Sequence, residues 1–305
     1  MKILITGSRG FLGGTIGRFA ASNGHEVLGI GRAAQADLSW PGQYFSADVL
    51  SADLSRLIRD CNPAAIFHAA GTASVGSSFA SPLDDLRASL LSWANLLENV
   101  RRSGQFPLLV YPSSAAVYGR PQVLPAGEDA PVNPISPYGF HKAACELMAR
   151  EYATCFQQKV VIVRLFSVFG EAQRRLLIWE LFQQFSGEGD TVSLEGTGKE
   201  TRDYLYADNV ADVVLRLIQA NLSKDKANYQ TINVGSGNEL NVLSLAEQIR
   251  TLLGSTKKIN CRGIHREGDP ERWRADISLL RDAIPDWEPM PFKNGLEQCL
   301  ETWRR

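Results

Sequence analysis

Residues 2–13 read KILITGSRGFLG, and this stretch decides the fold. An apolar run, Lys2–Thr6, passes directly into glycines at 7, 10 and 13, and a helical pattern follows over Gly13–Ser22. Glycine at such positions permits a tight turn, close approach of backbone to a pyrophosphate, and close packing of helix on strand. The helix N-terminus adds free N–H groups and the positive end of its dipole. The spacing is GxxGxxG rather than GxGxxG, and an isolated triplet also describes an ordinary glycine-rich turn. Its position directly after a strand favours a dinucleotide site built from Gly7, Arg9, Gly10, Phe11, Leu12 and Gly13.

Outward from that stretch, short apolar runs alternate with helical patterns. Strands are expected at His25–Ile30, Ala65–Ala69, Pro107–Pro112 and Val160–Leu165, with helices near Leu83–Arg102 and Pro137–Phe156. Buried strands alternating with helices imply βαβ units, so the expected fold is an α/β doubly wound parallel sheet, Rossmann-like. After about residue 166 the texture changes. A turn-rich polar stretch at Ser186–Asp203 precedes another strand and turn at Thr231–Gly237 and a helix at Ser244–Leu253. The expected division is a dinucleotide-binding domain over 1–166 and a smaller, mainly substrate-binding lobe over 167–305, with about 204–235 returning to the first.

Composition narrows the class. Thirty-two Lys+Arg against 33 Asp+Glu leave a net charge of −1, which argues against a broad nucleic-acid or membrane-surface footprint. No apolar run approaches the roughly 18 residues of a membrane span, and MKILITG lacks the long apolar region of a signal peptide. Cys61, Cys145, Cys155, Cys261 and Cys299 are scattered, with no CxxC pair. Buried thiols in a reducing cytoplasm are expected, with no disulfide framework and no metal site.

The exit of the second strand bears on cofactor type. An acidic residue there would bind the ribose 2′-hydroxyl of NAD, but the chain reads Gly29-Ile30-Gly31-Arg32. Arginine suits a 2′-phosphate, so NADP(H) is expected, with NAD(H) the alternative. Arg9 either approaches the same phosphate or is simply solvated. After the third strand, Asp48-Val49 places a carboxylate either by the adenine amine or as a helix cap.

Tyr138 and Lys142 stand at i and i+4 in Tyr138-Gly139-Phe140-His141-Lys142, on one helix face. An ammonium beside a phenol favours the phenolate, so the pair is expected to exchange protons with a substrate oxygen. Upstream, Tyr111-Pro112-Ser113-Ser114-Ala115-Ala116-Val117-Tyr118-Gly119 is a strand emptying into a small-residue loop, where a hydroxyl can reach the same oxygen. Ligands in these folds bind outside the carboxyl ends of the strands. Each motif taken singly also fits an ordinary amphipathic helix or a serine-rich turn.

In order, the chain carries TGxxGFLG, HAAG at His68–Gly71, SSAAVYG, SPYGFHK, RLFSVFG, RDYLYADN and INVGSG. This set resembles the extended short-chain dehydrogenase/reductases that modify nucleotide-diphosphate sugars as epimerases, dehydratases and 4-ketoreductases. The resemblance spans nearly the whole chain. It implies Ser114, Tyr138 and Lys142 as the catalytic set, with Lys142 also holding the nicotinamide ribose. It implies Gly7, Gly10, Gly13, Asp48, Val49, Ala69, Ala70 and Gly71 along the cofactor. It also implies Ser74, Val75, Ser113, Ser167, Arg202 and Arg266 on the substrate side.

Departures from the family pattern carry information too. Ser167 stands where relatives usually carry Asn, and Ser89, Ser92 and Trp93 stand where many read Asn, Gly and Thr. These imply a shifted sugar pose or an unusual sugar. Ser113-Ser114-Ala115-Ala116 lacks the Thr-Asp-Glu of 4,6-dehydratases, which disfavours water elimination. The expected activity is hydride transfer at sugar C4, as an NADPH-dependent 4-ketoreductase of a deoxy nucleotide sugar within polysaccharide biosynthesis. A 4-epimerase holding NAD is the alternative, and a non-catalytic dinucleotide sensor is a third. The resemblance further implies a homodimer through the helices near Leu83–Arg102 and Pro137–Phe156. The apolar series Leu86, Leu90, Trp93, Leu97 serves either that bundle or the chain's own sheet.

Overall fold

The computed structural model describes residues 1–223, 229–264, 268 and 270–305. Seven strands form the central sheet: β1 Lys2–Thr6, β2 Glu26–Gly31, β3 Gln43–Ser46, β4 Ala65–His68, β5 Leu108–Ser114, β6 Val160–Leu165 and β7 Tyr229–Val234. Their order is β7-β6-β5-β4-β1-β2-β3, and every neighbouring pair is parallel. Both faces are covered, which explains the unbroken apolar runs. Ile3, Ile5, Val110 and Val163 point into one core, while Leu4, Ile66, Leu109 and Ile162 point into the other.

The chain runs outward from β1 in both directions, so the order switches between β1 and β4. There Thr6 lies beside His68, and the glycine loop and the Ala69–Ser74 loop leave the sheet side by side. A crevice at such a switch point is where doubly wound folds bind ligands.

The helix expected as one piece over Leu83–Arg102 is interrupted. Helical Pro82–Leu86 passes through a π-helical turn at Arg87–Leu91 into Ser92–Ser103. Ser92 Oγ donates to the Ala88 carbonyl at 2.5 Å, a side-chain bond that competes with the regular ladder. Trp93 and Leu97 are buried against the chain's own sheet, whereas Leu86 and Leu90 are half-buried.

Pro137–Phe156 starts where the sequence predicts. Ser136 caps it by accepting the Gly139 amide at 3.1 Å, and proline sits at the first position. The chain after β6 builds a separate core from Phe169, Leu181, Phe182, Leu245 and Leu300, among others. It also returns to the sheet: Ala207–Leu222 packs on Phe11–Ser22, and β7 pairs with β6. Among the described residues no helix is long and apolar enough to cross a membrane, and no cluster of three or more His, Cys, Asp or Glu could hold a metal. All five thiols are free.

Candidate active site

A cleft of about 930 Å³ opens at the switch point, between the carboxyl ends of β1, β4 and β5 and the C-terminal lobe. Its floor is the glycine loop. Gly7 has φ +67°, and a Cβ on Gly13 would lie 2.4 Å from the Gly7 carbonyl oxygen. No side chain fits there without moving backbone, so the turn stays bare where a dinucleotide's phosphates need to approach. Gly10, Phe11, Leu12, Gly13, Ala69, Ala70 and Gly71 all line the cleft. These residues fit a dinucleotide.

Ser114, Tyr138 and Lys142 converge on the same cleft. Gly139 makes this possible: a Cβ there would come within 2.6 Å of the Ala116 carbonyl, so only glycine lets the helix close on the Ser114 loop. The Tyr138 amide donates to Ser78 Oγ at 3.1 Å, which anchors the helix start. Burial pushes Tyr138 up to about 12, opposed first by a hydrogen bond with Ser114 and also by Arg175, while Asp85 adds to the rise. Tyr138 therefore differs from the sequence expectation, which had Lys142 depressing its pKa. The reason is geometric: Lys142 Nζ donates to Pro112 O at 2.7 Å and Tyr111 Oη at 3.2 Å, and lies 5.7 Å from the Tyr138 ring centroid. Burial also lowers Lys142. Beneath them His68 is enclosed between Thr6, at 2.9 Å, and Ser92, at 3.4 Å, and burial drives it to about 3, so it is a neutral imidazole.

Other expected residues fall differently. Ser113 lines the cleft, but its hydroxyl donates to Glu146 Oε1 at 2.5 Å. Ser74 and Val75 line the wall, Ser74 also capping a short helix through the Ser77 amide. Ser167 and Arg202 lie on the C-terminal side, with the Arg202 guanidinium 5.4 Å from the Trp273 ring centroid. Asp203, next to Arg202, accepts from the Ser236, Gly237 and Ala275 amides. Arg266 lies outside the described residues. Arg9, Arg32 and Asp48 are exposed, Val49 is buried, and none of them lines the cleft. Asp48 accepts the Leu50 amide at 3.0 Å, a local turn bond. Asp37, which the sequence reading passed over, is held below the usual carboxylate range by bonds from Ser39, with Arg9 and Arg18 adding to the effect.

Sequence reasoning also missed Arg175, Thr72 and Asp85. Arg175 and Thr72 line the cleft, and Thr72 bonds the buried Asp85. Glu146 was legible in principle, since Tyr138, Lys142 and Glu146 repeat every four residues on one helix face. Its Arg164 partner, 2.7 Å away, is brought to it only by the sheet.

A glycine-floored crevice with a buried Tyr–Lys pair and a serine is an arrangement that suits a dinucleotide and proton transfer at a hydroxyl or carbonyl. The profile of the NAD dependent epimerase/dehydratase family matches residues 3–235, and the chain belongs to that family. It is 29% identical over 100% of its length to UDP-glucose 4-epimerase of Mycolicibacterium smegmatis, 99% of which is covered. Among solved structures it resembles the UDP-glucose 4-epimerase of Thermus thermophilus in complex with NAD, at 26% identity and TM-score 0.86, covering 100% and 99% of the two chains. It also resembles TunA, an NAD dependent NDP-hexosamine 5,6-dehydratase of tunicamycin biosynthesis, at 27% identity and TM-score 0.86, covering 100% and 98%.

Proposed function

We propose that this protein catalyses hydride transfer at C4 of a nucleotide-diphosphate hexose, with Tyr138 moving the accompanying proton. The observation that carries this reading is the convergence of Ser114, Tyr138 and Lys142 beside the glycine-floored part of one cleft. A nicotinamide dinucleotide held along Gly10–Gly13 and Ala69–Gly71 would supply or accept the hydride at C4. Tyr138 takes the proton from the C4 hydroxyl, or returns it to the forming alkoxide, and Ser114 steadies that oxygen. Lys142 holds its ammonium beside the Tyr138 and Tyr111 rings and on the Pro112 carbonyl, where it lies at the cleft to hold the dinucleotide's ribose. Arg202, with Arg175 and Ser167 nearby on the C-terminal wall, suits the diphosphate and sugar. This assigns dinucleotide binding to the sheet domain and sugar binding mainly to residues beyond 166.

The redox-neutral 4-epimerase is the form the full-length relatives favour, with NAD as the cofactor. The second reading, an NADPH-dependent 4-ketoreductase, rests on Arg32. It is exposed just past the end of β2 and makes no hydrogen bond or ion pair among the described residues. Asp37 offers the opposite charge beside Arg9 of the glycine loop. A homodimer goes with either form. The Leu83 helix packs on Pro137–Phe156, and Leu83, Phe140 and Leu147 expose 57%, 59% and 68% of their surface.

The first experiment denatures freshly purified protein and identifies the released dinucleotide. Near-stoichiometric NAD, with interconversion of C4-epimeric nucleotide sugars, supports the epimerase. An empty protein that binds NADPH far more tightly than NADH and reduces a 4-keto nucleotide sugar supports the reductase. In either case Tyr138→Phe should lower kcat by about 10²–10⁴-fold while dinucleotide affinity holds. A Tyr138→Phe variant with full turnover would sink the reading.

A further inference from the structure

Asp85 is a carboxylate only 3% exposed, set in the short helix Pro82–Leu86 and bonded on both sides. One oxygen accepts from Thr72 Oγ1, which also lies 3.2 Å from Ser89 Oγ. The other lies 2.5 Å from His141 Nδ1. Thr72 belongs to the loop that lines the cleft beside Ala69, Ala70 and Gly71, and His141 directly precedes Lys142. One buried carboxylate thus ties the cofactor-side loop to the helix carrying the proton-transfer pair. A buried carboxylate costs several kcal/mol unless it is paired, so the imidazole opposite it is part of the site and not decoration.

We propose that Asp85 and His141 are positioning residues for the reaction above: they clamp the Thr72 loop onto the Tyr138 helix. This rests on the proposed function for its kinetic part only. Asp85 faces Tyr138, His141, Lys142 and Cys145 from the Pro137–Phe156 helix, while its sequence neighbour Asp84 is exposed and pairs with Arg87. Tyr138 in turn faces Asp85, Cys145, Arg175 and Tyr111. Within that set Asp85 is the anion that works against the phenolate.

The test compares Asp85→Asn, His141→Ala and His141→Gln with the wild type, each first checked for native melting. Asp85→Asn removes the anion that faces Tyr138 and should move the rise of kcat with pH lower. His141→Gln keeps a donor to Asp85, so it should retain dinucleotide affinity. Asp85→Asn and His141→Ala should weaken dinucleotide binding, read by fluorescence titration, about tenfold through loss of the clamp. An Asp85→Asn profile that stays in place or moves higher overturns a role for Asp85 at Tyr138, and a His141→Gln variant that binds the dinucleotide as poorly as His141→Ala overturns the bond to Asp85 as the clamp. Unchanged dinucleotide affinity in both variants overturns the clamp. A wild type inert toward every nucleotide sugar refutes the proposed function, and the binding titration still decides the clamp.

Discussion

His68 ends β4 with both ring nitrogens engaged and no contact with water, stacked near Tyr111 and Trp93. Between pH 6.5 and about 3 the unfolded histidine binds a proton that the folded one refuses. The unfolded state then holds more protons, so stability rises with pH across this window. Its contribution is complete above 6.5 and is lost as pH falls toward 3. At 1.36 kcal/mol per unit this amounts to at most about 5 kcal/mol. Urea unfolding of wild type and His68→Gln between pH 4 and 7 should show a shallower pH slope in the variant, and equal slopes would refute this. At the same scale Tyr138 was identifiable from the YxxxK spacing, but its elevated pKa was not, because burial is a property of everything packed around it.

Helices and strands meet in a buried ionic network behind the cleft. Arg164 on β6 forms a two-point bridge to Glu146 on the Pro137–Phe156 helix, at 3.0 and 2.7 Å, and a third bond to Tyr118 at 2.9 Å. Tyr118 donates to Asn233 on β7, and Ser113 on β5 joins through Glu146. Both charged side chains are under 10% exposed, at 6% and 7%. Removing one partner strands the other in the core, so Glu146→Leu or Arg164→Met should each cost about 3–5 kcal/mol. The double variant Glu146→Leu/Arg164→Met should cost less than the sum of the two singles. Strict additivity in denaturant unfolding would show that the bridge contributes nothing. The π-helical turn at Arg87–Leu91 belongs to this scale as well. The apolar spacing of Leu86, Leu90, Trp93 and Leu97 predicted one continuous helix, but serine side chains bonding to backbone interrupt it.

At the scale of the whole molecule, the face carrying Leu83, Phe140 and Leu147 is the surface the proposed dimer would bury. Each such side chain is worth about 1.5–3 kcal/mol when fully buried. Leu147→Arg, combined with Phe140→Arg, should therefore convert a dimer to a monomer by light scattering, with the melting of the single chain little changed. A wild type that is monomeric at micromolar concentration would refute the dimer. The face could not be read from Trp93 and Leu97, which looked equally suited to it, because these two turned inward to the sheet.

The sequence by itself determined the alternation of strand and helix, the glycine turn after β1, and the residue types that meet in the cleft. Those are local: they follow from period, turn chemistry and spacing along one helix. Only the tertiary structure decided which side chains reach the cleft and in what electrical state. It placed Ser113 on Glu146, left Arg32 and Asp48 outside the cleft, and joined Thr72, Asp85 and His141. These pairings link residues up to 69 positions apart, as Thr72 and His141 are, through contacts on Asp85. Burial and long-range contact set them, and neither is written in any short stretch of the chain.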